Sequence, residues 1–149
     1  MRAVVQRVTR ASVVVDGVAI GEIERGLVAL VGIFADDGER DRALIADKLA
    51  HLRIFEDDKE KMNLDVQQVG GAVLLVPNFT VAGSTRKGRR PSFDAAMAPA
   101  EASPAFDALV EAVRGHGVGV QTGRFGADMA VELVNDGPVT VVLDSRATV

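Results

Sequence analysis

Leu27–Phe34, LVALVGIF, is the stretch on which the fold turns. It is continuously apolar and short, so it reads as a strand buried on both faces rather than as a helix or a membrane span. Working towards the N-terminus, RAVVQRVTRASVVVDGVAIGEI reads as strand, turn, strand. Val13-Val14-Val15 is β-branched, Asp16-Gly17 is a hairpin turn signal, and Val18, Ile20 and Ile23 follow. Working towards the C-terminus, Asp36-Asp37-Gly38 ends the central run. Leu44, Ile45, Leu49 and Leu52 then recur at helical spacing, predicting one amphipathic helix over Arg40–Leu52. LRIFEDDKEKMNL predicts a short strand and a charged turn. Gly70-Gly71 precedes a second buried strand, Ala72–Val76.

Residues 82–102 are rich in alanine, glycine, proline and basic groups and read as a long functional loop with one helical turn. Ser103-Pro104 reads as an N-cap followed by proline at the first helical position. Phe106, Leu109, Val110 and Val113 form the inner stripe of that helix, and Gly115 can close it. Three β-like stretches complete the chain: Gly117–Gln121, Ala127–Val134 and Val139–Leu143. The order is strand-rich, helix, strand, helix, strand-rich. It predicts an α+β fold in which a mixed, mostly antiparallel sheet forms a partly closed β-barrel with two main helices.

A chain of 149 residues fits a single domain, 1–149, with a core that needs no staples. Hydrophobic residues at 48% and charged ones at 26% place it among soluble globular proteins. The opening MRAVVQRVTR has no apolar core of a signal peptide, so a cytoplasmic protein with no membrane partner is expected. There is no cysteine, which excludes disulfides, thiolate catalysis and thiolate-bound metals. The formal charge is −4, yet Arg86, Lys87, Arg89 and Arg90 crowd into one run, Thr85–Arg90. Without those four the remaining 13 basic residues face 21 acidic ones. A concentrated positive patch on an acidic body suits a polyanion held at one place, and a solvated basic loop is the ordinary alternative.

Familiar catalytic constellations are missing. The two histidines, His51 and His116, read as a helix-flank residue and a turn residue, so no triad and no zinc site is expected. No nucleotide-binding glycine motif occurs, and no cofactor is expected. Two stretches remain. In VPNFTVAGSTRKGRR the buried strand runs into Pro77-Asn78-Phe79-Thr80, where Asn78 and Thr80 offer polar side chains. The N–H groups of Phe79 and Thr80 could converge on a developing oxyanion. In LVNDGPVT, Gly137-Pro138 interrupts a β-like run with a residue that has no N–H for a ladder. On the residues alone, each stretch also reads as an ordinary strand end or hairpin turn.

MRAVVQRVTRASV, LRIFED, KMNL, TRKGRRPSF, TGRFGADM and LVNDGPVT, in that order and spread over almost the whole chain, resemble the D-aminoacyl-tRNA deacylases. These are the chiral-proofreading enzymes that cleave D-amino acids from tRNA. The resemblance implies that Asn78, Phe79 and Thr80 belong to the catalytic motif, which in the family reads Ser-Gln-Phe-Thr. Pro77 and Asn78 depart from its first two positions. It implies that Gly137-Pro138 matches a Gly-cisPro step inserted into the active site of a partner subunit, making a homodimer with composite sites. Arg7, Phe125 and Met129 match residues that line or brace the pocket. Arg86, Lys87, Arg89 and Arg90 would then hold the tRNA acceptor end. The implied substrates are D-aminoacyl-tRNA and glycyl-tRNA, with no DNA partner. A non-catalytic tRNA-binding dimer with a vestigial site is the alternative.

Overall fold

A computed structural model describes residues 1–146. Strand β1 (Arg2–Val15) turns at Asp16 and Gly17, both at positive φ, into β2 (Val18–Ile23), as the hairpin signal predicts. β3 (Gly26–Gly32) is the predicted buried strand. It runs antiparallel to the first half of β1 and parallel to β6 (Ala72–Pro77), in register from Gly26 opposite Ala72 to Val31 opposite Pro77. Parallel neighbours need a crossover. Helix α1 (Glu39–His51) and a small hairpin, β4 (Phe55–Glu56) with β5 (Met62–Leu64), supply the first. Helix α2 (Pro99–Arg114) supplies the second, leading from β6 to its other parallel neighbour, β7 (Gly119–Thr122). The last strand, β8 (Ala130–Asp144), lies antiparallel on β1.

The main sheet runs β2-β1-β3-β6-β7, with β8 also on β1, so it is mixed and mostly antiparallel in its long pairings. Its two ends approach each other: a Cβ on Gly21 of β2 would stand 2.7 Å from the carbonyl oxygen of Thr122 of β7. Only glycine permits that contact, and the contact curls the sheet into a partly closed barrel. Alternation along the strands divides the core in two. Val5, Leu27, Ala29 and Leu75 pack with Ile45, Leu49, Phe106 and Leu109 of the helices. Val8, Val13, Val28, Leu74 and Val76 fill the barrel side.

Four local expectations need correcting. The inner stripe of α1 is Ile45, Ala46, Leu49 and Ala50. Leu44 is 41% exposed, and Leu52 is the half-buried residue after the helix, because alanines at the same spacing carry the contact face. Helix α2 starts at Pro99, not after Ser103. Pro99 fits the first helical position, and the Ala98 carbonyl accepts the N–H groups of Glu101 and Ala102 at 3.0 and 2.8 Å. Pro104 lies inside the helix, where the carbonyl it leaves unbonded belongs to the exposed Ala100. The long loop is shorter than expected because α2 takes its last residues from Pro99 on, and a 3-10 turn, Phe79–Ala82, precedes it. Finally, the last two β-like stretches form a single strand. Gln6 pairs with Thr140 and Val8 with Asn135, so Asp136–Val139 bulge out opposite Arg7.

That bulge accounts for Gly137-Pro138 in a strand. Ladder pairing is suspended there, so a residue without an N–H costs no sheet bond. The Asn135 side chain closes the bulge: Val139 donates its N–H to Asn135 Oδ1 at 2.8 Å, and Asn135 Nδ2 donates to Thr140 Oγ1 at 3.0 Å. The Gly137–Pro138 bond is cis.

Candidate active site

A cavity of about 450 Å3 opens where β3 and the parallel β6 end. Crevices beyond the carboxyl ends of parallel strands are where such sheets bind ligands, because loops diverge there from a rigid frame. Asn78 is fixed at the rim by its N–H, which donates to Val31 O at 2.8 Å. The chain then enters the 3-10 turn. The first two N–H groups of such a turn, here those of Phe79 and Thr80, have no intrahelical acceptor. Phe79 is 60% exposed, and its ring meets that of Phe93 edge-on, centroids 5.2 Å apart. The Thr80 hydroxyl donates to Asn78 Oδ1 at 2.5 Å.

Asn78, Phe79, Phe125 and Met129 all line this cavity, together with Phe93, Met97 and Phe106, whereas Thr80 is not in its lining and reaches it only through its bond to Asn78. Phe93 lies within TRKGRRPSF but carried no separate signal in the sequence. Its partner Phe79 is 14 positions away, and only the loop's return brings the rings together. Among the described residues, no aspartate, glutamate, histidine, lysine or arginine lines the wall. Among the described residues, three carboxyls with pKa values below the ordinary range lie elsewhere. Asp41 is held down by the Ser145 hydroxyl and the Gly38 N–H, and Asp57 by the N–H groups of Lys61 and Lys59. At Asp144 burial pushes up, but the Arg146 N–H and the Arg2 guanidinium outweigh it.

Arg7, Gly137 and Pro138 form a second cluster, outside the cavity wall. Arg7 is buried at 5% exposure and donates from Nε to Asp136 O at 3.1 Å and from Nη1 to Ile54 O at 2.7 Å. Gly137 and Pro138 are exposed. Val31, which holds Asn78, is opposite Ala3, whereas the bulge is opposite Arg7. Four residues of strand separate the two levels, about 14 Å. Within one chain the two motifs therefore do not meet.

Arg86, Lys87, Arg89 and Arg90 are exposed at the tip of a loop whose base is pinched by reciprocal N–H···O bonds between Ser84 and Ser92, both 2.8 Å. Among the described residues none of the four pairs with a carboxylate. Phe93, just after the run, lines the cavity, so the basic tip rises from the cavity's own rim.

Fold and site thus define a small α+β barrel with an apolar pocket, a 3-10 turn starting at its rim and a cationic loop beside it. The profile described as D-Tyr-tRNA(Tyr) deacylase matches residues 4–144. The chain is 58% identical over 146 residues to the D-aminoacyl-tRNA deacylase of Anaeromyxobacter dehalogenans (strain 2CP-C), covering 98% of each chain. It is 56% identical to the one from Koribacter versatilis (strain Ellin345), again over 98% of each. Among solved structures, the c-Myc DNA Unwinding Element Binding Protein superposes with a TM-score of 0.92 at 38% identity, covering 99% of this chain and 100% of that one. A probable eukaryotic D-amino acid tRNA deacylase shares the fold, with a TM-score of 0.82 at 18% identity over 95% of this chain and 97% of that one. The chain belongs to the D-Tyr-tRNA(Tyr) deacylase family and is, with it, a hydrolase of the aminoacyl ester bond.

Proposed function

We propose that this chain hydrolyses D-aminoacyl-tRNA to the free D-amino acid and tRNA, and that it does so as a homodimer in which Gly137-Pro138 of a second copy completes each pocket. The observation that carries the reading is a cavity with no titratable side chain among its described lining residues, beside a 3-10 turn that leaves the N–H groups of Phe79 and Thr80 without intrahelical acceptors. Such a pocket suits a substrate that is already activated. An aminoacyl ester is one, and the terminal ribose brings a 2′-OH beside the reacting carbonyl. The two N–H groups polarise that carbonyl and stabilise the oxyanion. Water adds, the bond to the 3′ oxygen breaks, and that oxygen takes up the proton with the neighbouring hydroxyl as relay. Asn78 and Thr80 position rather than react.

Chirality follows from rigid main chain. A thousandfold preference needs about 4 kcal/mol, while a methylene contact supplies only about 1–3 kcal/mol. Attraction to one side chain cannot serve many different amino acids, whereas exclusion by an unyielding wall can. In this reading, carbonyls of the Gly137-Pro138 step grip the α-amino group, and an L side chain meets the wall. Glycine has nothing to clash, so glycyl-tRNA is a substrate too. Arg86, Lys87, Arg89 and Arg90 hold the acceptor end through phosphates, without reading sequence.

The test is amino-acid release from matched D- and L-aminoacyl-tRNA. Release from the D form at least a hundredfold faster is expected. Equal rates would overturn the chiral reading, and tRNA binding without release from either would make the chain a non-catalytic binder.

A further inference from the structure

We propose that Asp47, His51 and His116 form a surface site for one divalent first-row transition metal ion, with Zn2+ as the probe. In sequence His116 stands 65 residues beyond His51, so no ligand spacing announces it. The fold brings the three together: one ligand atom from each lies within 4.8 Å of the other two. Asp47 and His51 share a face of α1 one turn apart, and His51 Nδ1 lies 3.2 Å from Asp47 Oδ1. Ligand atoms of a tetrahedral zinc site, with bonds of about 2.0–2.1 Å, stand roughly 3.3 Å from one another. The spacing fits one edge of the coordination figure, but Nδ1 also lies 3.0 Å from the Asp47 carbonyl and donates its proton there, so the metal displaces that proton or binds Nε2 after a ring turn.

His116 supplies the third corner. Its ring meets that of His51 edge-on, centroids 5.1 Å apart and planes at 87°. Its main chain is tied on both sides: the N–H donates to Val113 O at 3.0 Å, and the carbonyl accepts from Gln67 Nε2 at 3.0 Å. Closing the last gap asks only for rotation of exposed side chains. The surrounding field also favours a cation. α1 ends at His51 and α2 at Arg114, so the negative ends of two helix dipoles converge on the pair. The nearby Arg114 guanidinium is occupied by Glu111 Oε1 at 2.7 Å. Imidazole and carboxylate ligands suit zinc, nickel or copper better than magnesium or calcium, and the exposed position leaves water to complete the shell.

The experiment uses the untagged chain, stripped of metal, titrated with ZnCl2 by calorimetry and followed by thermal melting. One ion per chain and a rise in Tm with Zn2+ but not Mg2+ are expected. His51→Ala and His116→Ala should each weaken binding at least tenfold. Both positions are far from the apolar cavity, so both variants should keep the metal-free melting temperature and ester hydrolysis, which shows that the fold is intact. Tetrahedral Co2+ absorption bands, lost in both variants, would support the site. No stoichiometric binding, an equal response to Mg2+, or undiminished binding in either variant would overturn it.

Discussion

Arg7 donates its Nε–H to the main-chain oxygen of Asp136 at 3.1 Å from a position almost wholly buried beneath the bulge. The same guanidinium holds Ile54 O at 2.7 Å, so one side chain ties the bulge of β8 to the segment after α1. Arg7→Met keeps the volume but leaves two inward-facing carbonyls without donors. Losses of that kind amount to about 2–4 kcal/mol in all, which for a chain of this size lowers Tm by roughly 5–15 °C. Denaturant unfolding measures the loss. If the bulge orders the chiral wall, the D-to-L ratio of release rates should also collapse. An unchanged ratio would separate stability from selectivity.

Gly137 adopts φ +133°, a region side chains rarely enter. An ideal Cβ there would lie 2.9 Å from Val139 Cγ2 and 3.3 Å from Arg7 Nη2. Gly137→Ala therefore reshapes the bulge at a strain of about 1–3 kcal/mol. Because the site is exposed, Tm should fall by only a few degrees while release from D-aminoacyl-tRNA falls at least tenfold. Full activity in the alanine variant would remove this step from the pocket.

Thr80 hydrogen-bonds Asn78 at 2.5 Å and has no base in the cavity wall to take its proton. Thr80→Val should keep single-turnover hydrolysis within about tenfold of the parent, the range of a lost positioning bond. Loss of all activity would make Thr80 a nucleophile. A substrate ending in 2′-deoxyadenosine isolates the ribose instead: its hydrolysis should fail if the 2′-OH relays the proton.

The unpaired cations at the tip of the cavity loop predict a strong dependence of tRNA binding on salt. Arg89→Glu combined with Arg90→Glu should weaken binding at least tenfold and make the salt slope shallower by about 1–2. Titration of labelled tRNA across a salt series reads both. Unchanged affinity would move the tRNA elsewhere on the surface.

Asp41 and Asp144 are held below the ordinary carboxylate range in the folded chain. A lowered folded pKa means that the unfolded chain binds protons first. These groups therefore stabilise the fold fully above the unfolded value near 3.8, and that contribution is lost as pH falls through their lower folded values. Urea unfolding between pH 6 and pH 2.5 should show stability declining below about pH 4. Asp41→Asn should flatten that decline.

Much of the architecture was legible along the chain. Asp16-Gly17 marked the hairpin, Leu27–Phe34 and Ala72–Val76 the buried strands, and Phe106, Leu109, Val110 and Val113 the face of α2. Ser103-Pro104 carries the fuller helix-start signal, an N-cap and a proline together, yet the helix begins at Pro99 after Ala98, which has no capping side chain. The Ala98 carbonyl accepts the first helical N–H groups there. At the site, Asn78, Phe79, Phe125 and Met129 do share one cavity, while Phe93 entered unannounced.

Sequence alone determined the order of the main elements, the inward face of α2 and the two unusual stretches, because periodicity and turn chemistry act between residues a few positions apart. Tertiary structure alone decided that β8 is one strand with a bulge facing Arg7, that Gly21 meets Thr122, and that His51 meets His116. Each of those depends on register between segments far apart in the chain, and register is settled by packing across the whole sheet rather than by any local run.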